Sequence, residues 1–424
     1  MVRFPGGLLD RSLILTALAL SFGLGAHSAV ASPQTMQLKS SDISGGLDTF
    51  ASMLSGKHHF SAEEKLFSYQ HASGPVPAGA RKIFLQGLQQ HFDHNDKSAL
   101  NSFDQAIKAA PKYLPIYIEK AALLADLKQT KQALSVCDQM LAMDWKYVPA
   151  LQLKACCYAE LKDSDKSIDE WSKAIAVNPR DAVAYAQRAT EYETSGKKEE
   201  ARRDKEEAQK LYLPQKVGLM MADGRSSEAI DEIRQAVKKY PDDFELRMTE
   251  LTVLMAQNQF SEAEQVCSET AKNFPQANAV MHCFQAKCNS SLSRYGKAAS
   301  NLSEALAEVQ HPPAFKGVYG PMQQHLFERV QKTVLLERAE VYRKAKQFDK
   351  ALVDASAYIL LHPDYGSGYD ERASINETSG DKKKALEDYK RASERDQHDA
   401  RAKEGIDRLQ SDSAGNKTSR AKVK

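Results

Sequence analysis

Nine small residues return along the chain at a nearly constant interval. Ala99, Ala133, Ser167 and Ala201 stand 34 residues apart; Ala229, Ala263, Ala298, Ala351 and Ala385 follow, three of their four steps being 34, 35 and 34 residues. Such a period marks a helical solenoid, in which helix pairs too small to bury their own apolar faces stack on one another. Small residues also recur around each anchor. Seven positions later stand Ala106, Met140, Ala174, Ala208, Ala236, Thr270, Ala305, Tyr358 and Ala392. Twelve positions earlier stand Gly87, Ala121, Ala155, Ala189, Ala286, Ala339 and Ala373, with Val217 and Leu251 bulkier. A separation of seven keeps two residues on one helix stripe, since each residue turns about 100°. The residue twelve back belongs to a preceding helix, and small side chains at all three places allow two helices to pack closely.

Punctuation follows the same register. Pro111, Pro179, Pro241, Pro275 and Pro363 each fall twelve residues after an anchor, where a proline stops the second helix. Asp181, Asp243 and Asp364 follow as candidate N-caps for the next helix. Gly196 and Gly380 lie five residues before their anchors, where a left-handed residue closes the first helix.

The pattern Ala155–Tyr158–Ser167–Trp171–Ala174–Pro179 resembles the tetratricopeptide repeat family, and the resemblance covers roughly residues 80–400. It implies an all-α fold, a right-handed superhelical solenoid of antiparallel helix pairs. Its first helices would line a concave groove that binds a protein or peptide. Groove positions then fall on Gln152, Thr190, Glu193, Glu340, Arg343, Lys344 and Asp370. The carboxylate clamp of some co-chaperones in the family needs Lys and Asn one turn apart on this face. Phe84/Leu88, Ile118/Ala122, Gln152/Cys156 and Ala186/Thr190 do not supply it.

Two steps are irregular. From Ala201 to Ala229 is only 28 residues, which predicts a short first helix around Val217–Ala222. From Ala298 to Ala351 is 53, and the surplus falls at 310–331, where Pro312, Pro313, Gly317, Gly320 and Pro321 predict an insertion loop, with helix resuming near His325–Gln331. The expected organisation is a signal peptide at 1–31 and a linker at 32–79 with a candidate capping helix at Ala62–His71. About seven repeats would occupy 80–309. Two more fill 332–399 beyond the insertion, before a capping helix at 400–410 and a disordered basic tail at 411–424.

Arg3, Arg11, the apolar stretch Leu13–Ala26 and the Ala29-Val30-Ala31 site before Ser32 read as a cleavable export signal. The mature chain is expected in a periplasm, at a cell surface or secreted, and at a membrane only if the signal stays uncleaved. Without the signal, 56 basic residues face 55 acidic ones, a balance that gives no drive toward nucleic acid or anionic lipid.

Six cysteines in an exported chain invite a disulfide reading. Cys137 and Cys267 lie four residues after an anchor; Cys157 and Cys288 lie ten before the next one. Cys137–Cys157 and Cys267–Cys288 are therefore candidate bridges in one structural relation, with small apolar filling as the alternative. Cys156 and Cys283 are left unpaired.

No haem signal, glycine-rich phosphate loop or nucleophile elbow occurs. His91 and His94 stand one turn apart without further converging ligands, so no metal, cofactor or catalytic residue is expected. The expected function is a non-catalytic protein-interaction scaffold. An enzyme subunit with a site completed by the insertion, and a self-assembling structural protein, are the rival readings.

Overall fold

The structure, a computed structural model, describes residues 75–317, 319–396 and 399–421, with side chains as far as Ser411. The expected signal, the linker and the Ala62–His71 helix lie outside the described residues. Eighteen α-helices, one short 3₁₀ turn and no strand occur among those described. They divide between Arg225 and Ser226 into two compact units.

The first unit holds α1 (Ala78–Phe92), α2 (Asp96–Ala109), α3 (Leu114–Asp126), α4 (Thr130–Met143), α5 (Val148–Glu160), α6 (Ser164–Val177), α7 (Ala182–Thr194) and α8 (Lys198–Ala222). The second holds α9 (Ser226–Lys239), α10 (Phe244–Ala256), α11 (Phe260–Asn273), α12 (Asn278–Ser291), α13 (Tyr295–Glu308), α14 (Gly320–Lys344), α15 (Phe348–Leu361), α16 (Gly366–Ser379), α17 (Lys382–Arg395) and α18 (Ala400–Ala421). In both, each helix packs on the next in sequence, and first helices of successive pairs also touch, as α3 does α5 and α14 does α16. This is an all-α stack of helix hairpins.

Every anchor is the fourth residue of a second helix, and none is more than 2% exposed. Their small size decides the helix spacing. At Gly87, twelve residues before Ala99, even a methyl group would stand 2.7 Å from the Phe103 ring. Ser167 holds the anchor place with its hydroxyl buried and unpartnered.

The turn inside each pair uses one backbone state throughout. The residue five before each anchor has positive φ: His94, Lys128, Lys162, Gly196, Gly224, Asn258, Ser293, Lys346 and Gly380, from 56° to 99°. The next N–H then bonds the carbonyl five residues back, as from Gln129 to Leu124 or from Asp381 to Asn376, both 2.8 Å. Six of the nine are not glycine, and each carries strain of about 1 kcal/mol. At the other end, the five periodic prolines each stand two residues beyond a helix. Asp181 and Asp243 accept the N–H of Ala184 and Leu246 as caps, whereas Asp364 does not; α16 begins after Tyr365 without a side-chain cap.

A polar seam, not visible as a residue identity, joins successive pairs. The residue thirteen before an anchor reaches back to the residue five after the preceding one. Lys120 meets Asp104 at 2.5 Å, Lys154 meets Asp138 at 2.9 Å and Arg188 meets Ser172 at 3.0 Å. In the second unit Gln285 meets Ser268 at 2.9 Å, Arg338 meets Ser303 at 3.0 Å and Arg372 meets Ser356 at 3.4 Å. One seam is reversed in charge: Glu250 faces Arg234 at 3.9 Å. Three of the arginines also form two-pronged bonds to a carboxylate three residues after their own anchor, Arg188 to Asp204, Arg338 to Asp354 and Arg372 to Asp388, all 2.7–2.9 Å. These carboxylates are buried, so the forked geometry compensates for lost hydration.

The irregular steps differ from expectation. No separate short helix covers Val217–Ala222: α8 runs unbroken for 25 residues with Pro214 inside it. The missing residues are those of a turn, so the second helix continues straight into the register of the next first helix. Of the 310–331 insertion, the described residues 310–317 are non-helical, and Gly320–Gln331 is helix, extending α14 to 25 residues. Pro321 does not break it because it stands in the first turn, where its missing N–H has no helical partner to lose. The loop is held to the body: Tyr319 lies 6.1 Å from Phe244, and Phe315 lies 5.3 Å from Phe327. The closing helix α18 covers α17 with Ala402, Gly405 and Leu409, and it continues to Ala421 where a disordered tail was expected from 411.

Candidate functional site

The first helices carry the positions expected to meet a partner, and the two units present them differently. In the first unit, Ile118, Ala122 and Ala125 on α3 and Cys156 and Ala159 on α5 are half-buried, while Ala186 and Thr190 on α7 are exposed. Small side chains at these places leave a low, mainly apolar relief. Gln152 is not open to a ligand: it is buried, and its amide donates to Asp181 Oδ2 at 2.5 Å, tying α5 to the N-terminus of α7. Burial raises the Asp181 carboxyl above its usual range, although the amides of Ala184 and Val183 oppose this. Thr190 is exposed and bonds the Ala186 carbonyl at 3.1 Å; Glu193 pairs with Lys205 of α8 at 2.5 Å.

In the second unit the charged positions come together, but they are largely spent on one another. Arg343 Nε bonds Glu371 at 2.7 Å. Arg401 of α18 reaches Asp370 at 3.1 Å, Glu371 at 3.2 Å and the Ser374 hydroxyl at 2.7 Å. Arg408 completes the network with Glu377 at 2.8 Å. Burial pushes Asp370 up to about 6, against the pull of Arg401, and its Oδ1 is buried without a hydrogen-bond partner. Glu340 pairs with Lys344 at 2.7 Å. Burial opposes ionisation of Glu340, but Lys344, Lys287 and Arg343 hold its carboxyl below the usual range. Sequence reasoning missed Glu371, Ser374 and Arg401. Arg401 lies on the closing helix past the last anchor, at a register position that carries no groove residue in the earlier repeats, so no sequence signal pointed to it.

All six cysteines are thiols. Cys137 and Cys157 share one buried cluster between α4 and α5. Cys267 and Cys288 are both fully buried, on the contacting helices α11 and α12. Cys156 is half-buried on the α5 face, and Cys283 is buried on α12.

An open depression of about 710 Å³ lies at the turns of the third and fourth pairs, lined by Lys162, Asp163, Ser164, Asp165, Ser195 and Lys197. Of its lining charges, Lys197 pairs with Asp165 at 3.3 Å and Asp163 pairs with Lys166 at 2.5 Å. Among the described residues no group of three or more His, Cys, Asp or Glu side chains is placed to hold a metal ion. His91 bonds Asp96 at 3.2 Å, and His94 serves as a left-handed turn residue. No helix of the described residues is long and apolar enough to cross a membrane.

A tetratricopeptide repeat family model matches residues 220–288, from the end of α8 into α12. No curated protein matches the sequence. Among solved structures, the chain is similar to MamA from Desulfovibrio magneticus RS-1, with 19% identity, 42% of this chain and 97% of that one covered, and a TM-score of 0.30. It is similar to a thermophilic TPR protein from Thermus thermophilus, with 21% identity, coverage of 42% and 99%, and a TM-score of 0.29. A tetratricopeptide repeat protein from Parabacteroides merdae ATCC 43184 shows 12% identity, coverage of 79% and 100%, and a TM-score of 0.27. The matched interval contains the anchors Ala229 and Ala263, and the other seven anchors repeat their burial, their helix position and the left-handed turn before them. Residues 220–288 therefore match the tetratricopeptide repeat family, and the remaining hairpins repeat the register of that segment.

Proposed function

We propose that the protein is an exported, non-catalytic scaffold that captures a protein or peptide segment along the first-helix face of its first unit. The observation that carries this reading is the contrast between the faces. Ile118, Ala122, Ala125, Cys156 and Ala159 are half-buried apolar side chains with surface still to cover, whereas Arg343 and Asp370 are already engaged within the chain. The favoured ligand is thus a segment with small or apolar side chains, docked on rigid helices that cost little ordering on association. Export rests on the apolar stretch Leu13–Ala26 and the Ala29-Val30-Ala31 site.

The test is affinity capture from an envelope extract by the chain starting at Ser32, beside an Ala122→Arg/Ala159→Arg variant of unchanged helicity. A partner retained by the parent and lost by the variant is expected. Equal retention by both would refute the assignment of this face.

A further inference from the structure

We propose that each unit contains a dithiol, Cys137/Cys157 in the first and Cys267/Cys288 in the second, that oxidises to a disulfide fastening one helix pair to the next. Two independent observations carry this. The first is placement. Each pair joins the fourth residue after an anchor to the tenth before the following anchor, and each is buried at the contact of a second helix with the next first helix. Cys137 and Cys157 sit in one buried cluster, and Cys267 and Cys288 are fully buried on the contacting helices α11 and α12.

The second is the pattern of occupancy. At the remaining seams the same two positions hold Phe103 and Leu123, Trp171 and Glu191, Lys205 and Leu219, Ile233 and Val253, Leu302 and Val341, and Ala355 and Ile375. A cysteine stands at either position only where the other is cysteine too. Small apolar filling does not require that, because a cysteine packs as readily against leucine or valine. Bond formation does require it. Cys156 and Cys283, at other register positions, are the internal controls.

The oxidant is a low-molecular-weight disulfide or the disulfide of an oxidoreductase. One cysteine thiolate attacks it, forming a mixed disulfide and releasing one thiol. The second cysteine then displaces the other, closing the protein disulfide. Two electrons pass to the oxidant, and its two sulfurs leave as thiols carrying the two protons. Burial raises Cys157 to about 11 and Cys137 and Cys267 further, so the pairs react before the neighbouring helix closes over them, or when it opens.

The test refolds the full chain from denaturant in a mixture of oxidised and reduced glutathione, then denatures it, blocks free thiols with iodoacetamide and maps unreduced peptides by mass spectrometry. Two alkylated thiols, Cys156 and Cys283, are expected, with crosslinked peptides 137–157 and 267–288. A Cys157→Ala variant is expected to expose Cys137 to alkylation while leaving the Cys267–Cys288 crosslink intact. Six alkylated thiols, glutathione adducts in place of internal crosslinks, or crosslinks through Cys156 or Cys283 would each overturn the proposal. So would a Cys157→Ala variant with Cys137 still blocked.

Discussion

Replacing Arg338 by methionine tests whether the polar seams hold the stack together. Arg338 forks onto Asp354 at 2.7 and 2.8 Å and donates to Ser303 at 3.0 Å, so a single side chain on α14 grips both α15 and α13. The Asp354 side chain is 5% exposed and that of Arg338 18%, so water screens the pair little. Methionine keeps much of the packed volume but leaves a buried carboxylate without its cation, at a cost of about 3–5 kcal/mol. In a repeat array that cost appears locally, as easier opening of the affected hairpin rather than as one global transition. The readout is native-state hydrogen exchange by mass spectrometry on the full chain. Peptides from α14 and α15 should exchange about 100- to 4,000-fold faster, while those from α2 to α6 stay unchanged. The double variant Arg338→Met/Asp354→Leu, with neither charge, should recover most of the protection. If the double variant is as unprotected as the single one, lost packing rather than an orphaned charge is the cause, and the seams do not hold the stack in the way described.

Lys162 is an exposed lysine at φ 59°, so Lys162→Gly should raise stability in urea by a net of about 0.5 kcal/mol, strain relief being partly offset by unfolded-chain entropy. Gly380→Ala, at φ 99°, should lower it by about 1 kcal/mol or more; equal effects at the two sites would contradict the shared turn state. Asp370→Asn tests the carboxyl held near 6 against an ordinary value of 3.8. The folded chain there binds the proton more tightly than the unfolded one, so wild-type stability falls as pH rises from about 4 to 6 and stays lower above. The variant should therefore gain roughly 3 kcal/mol over wild type at pH 7 and almost nothing at about pH 3.5. A stability difference independent of pH would refute this.

The repeat frame was legible because it rests on size. Only alanine or serine stands at the nine anchors, where two helix backbones approach, so the anchors appear in the sequence as identities, and prolines mark the ends for an equally steric reason. The left-handed turn was legible only at the glycines Gly196, Gly224 and Gly380, the second of which the sequence reading passed over, since lysine, histidine, asparagine and serine tolerate that state without announcing it. The seams were not legible, because complementarity rather than identity is kept: Lys with Asp, Arg with Ser, Glu with Arg. The continuous α8 was misread because a short step says that residues are missing, not that the missing ones are the turn. The charged groove residues were placed on the right helices, but helical phase could not reveal that Glu371 and Arg401 had already claimed them.

The reversed seam at Arg234 and Glu250 restricts how such a protein can grow by duplication. Copying one hairpin behind another would set Lys154 or Arg188 against Arg234, or Glu250 against Asp138, and the new joint would repel. Joints that end on Ser172, Ser268, Ser303 or Ser356 accept either sign, whereas next to Arg234 only a segment cut within a hairpin, carrying donor and acceptor together, avoids the clash. The modules of this chain are therefore not interchangeable beads, and their order is written in the chemistry of the joints.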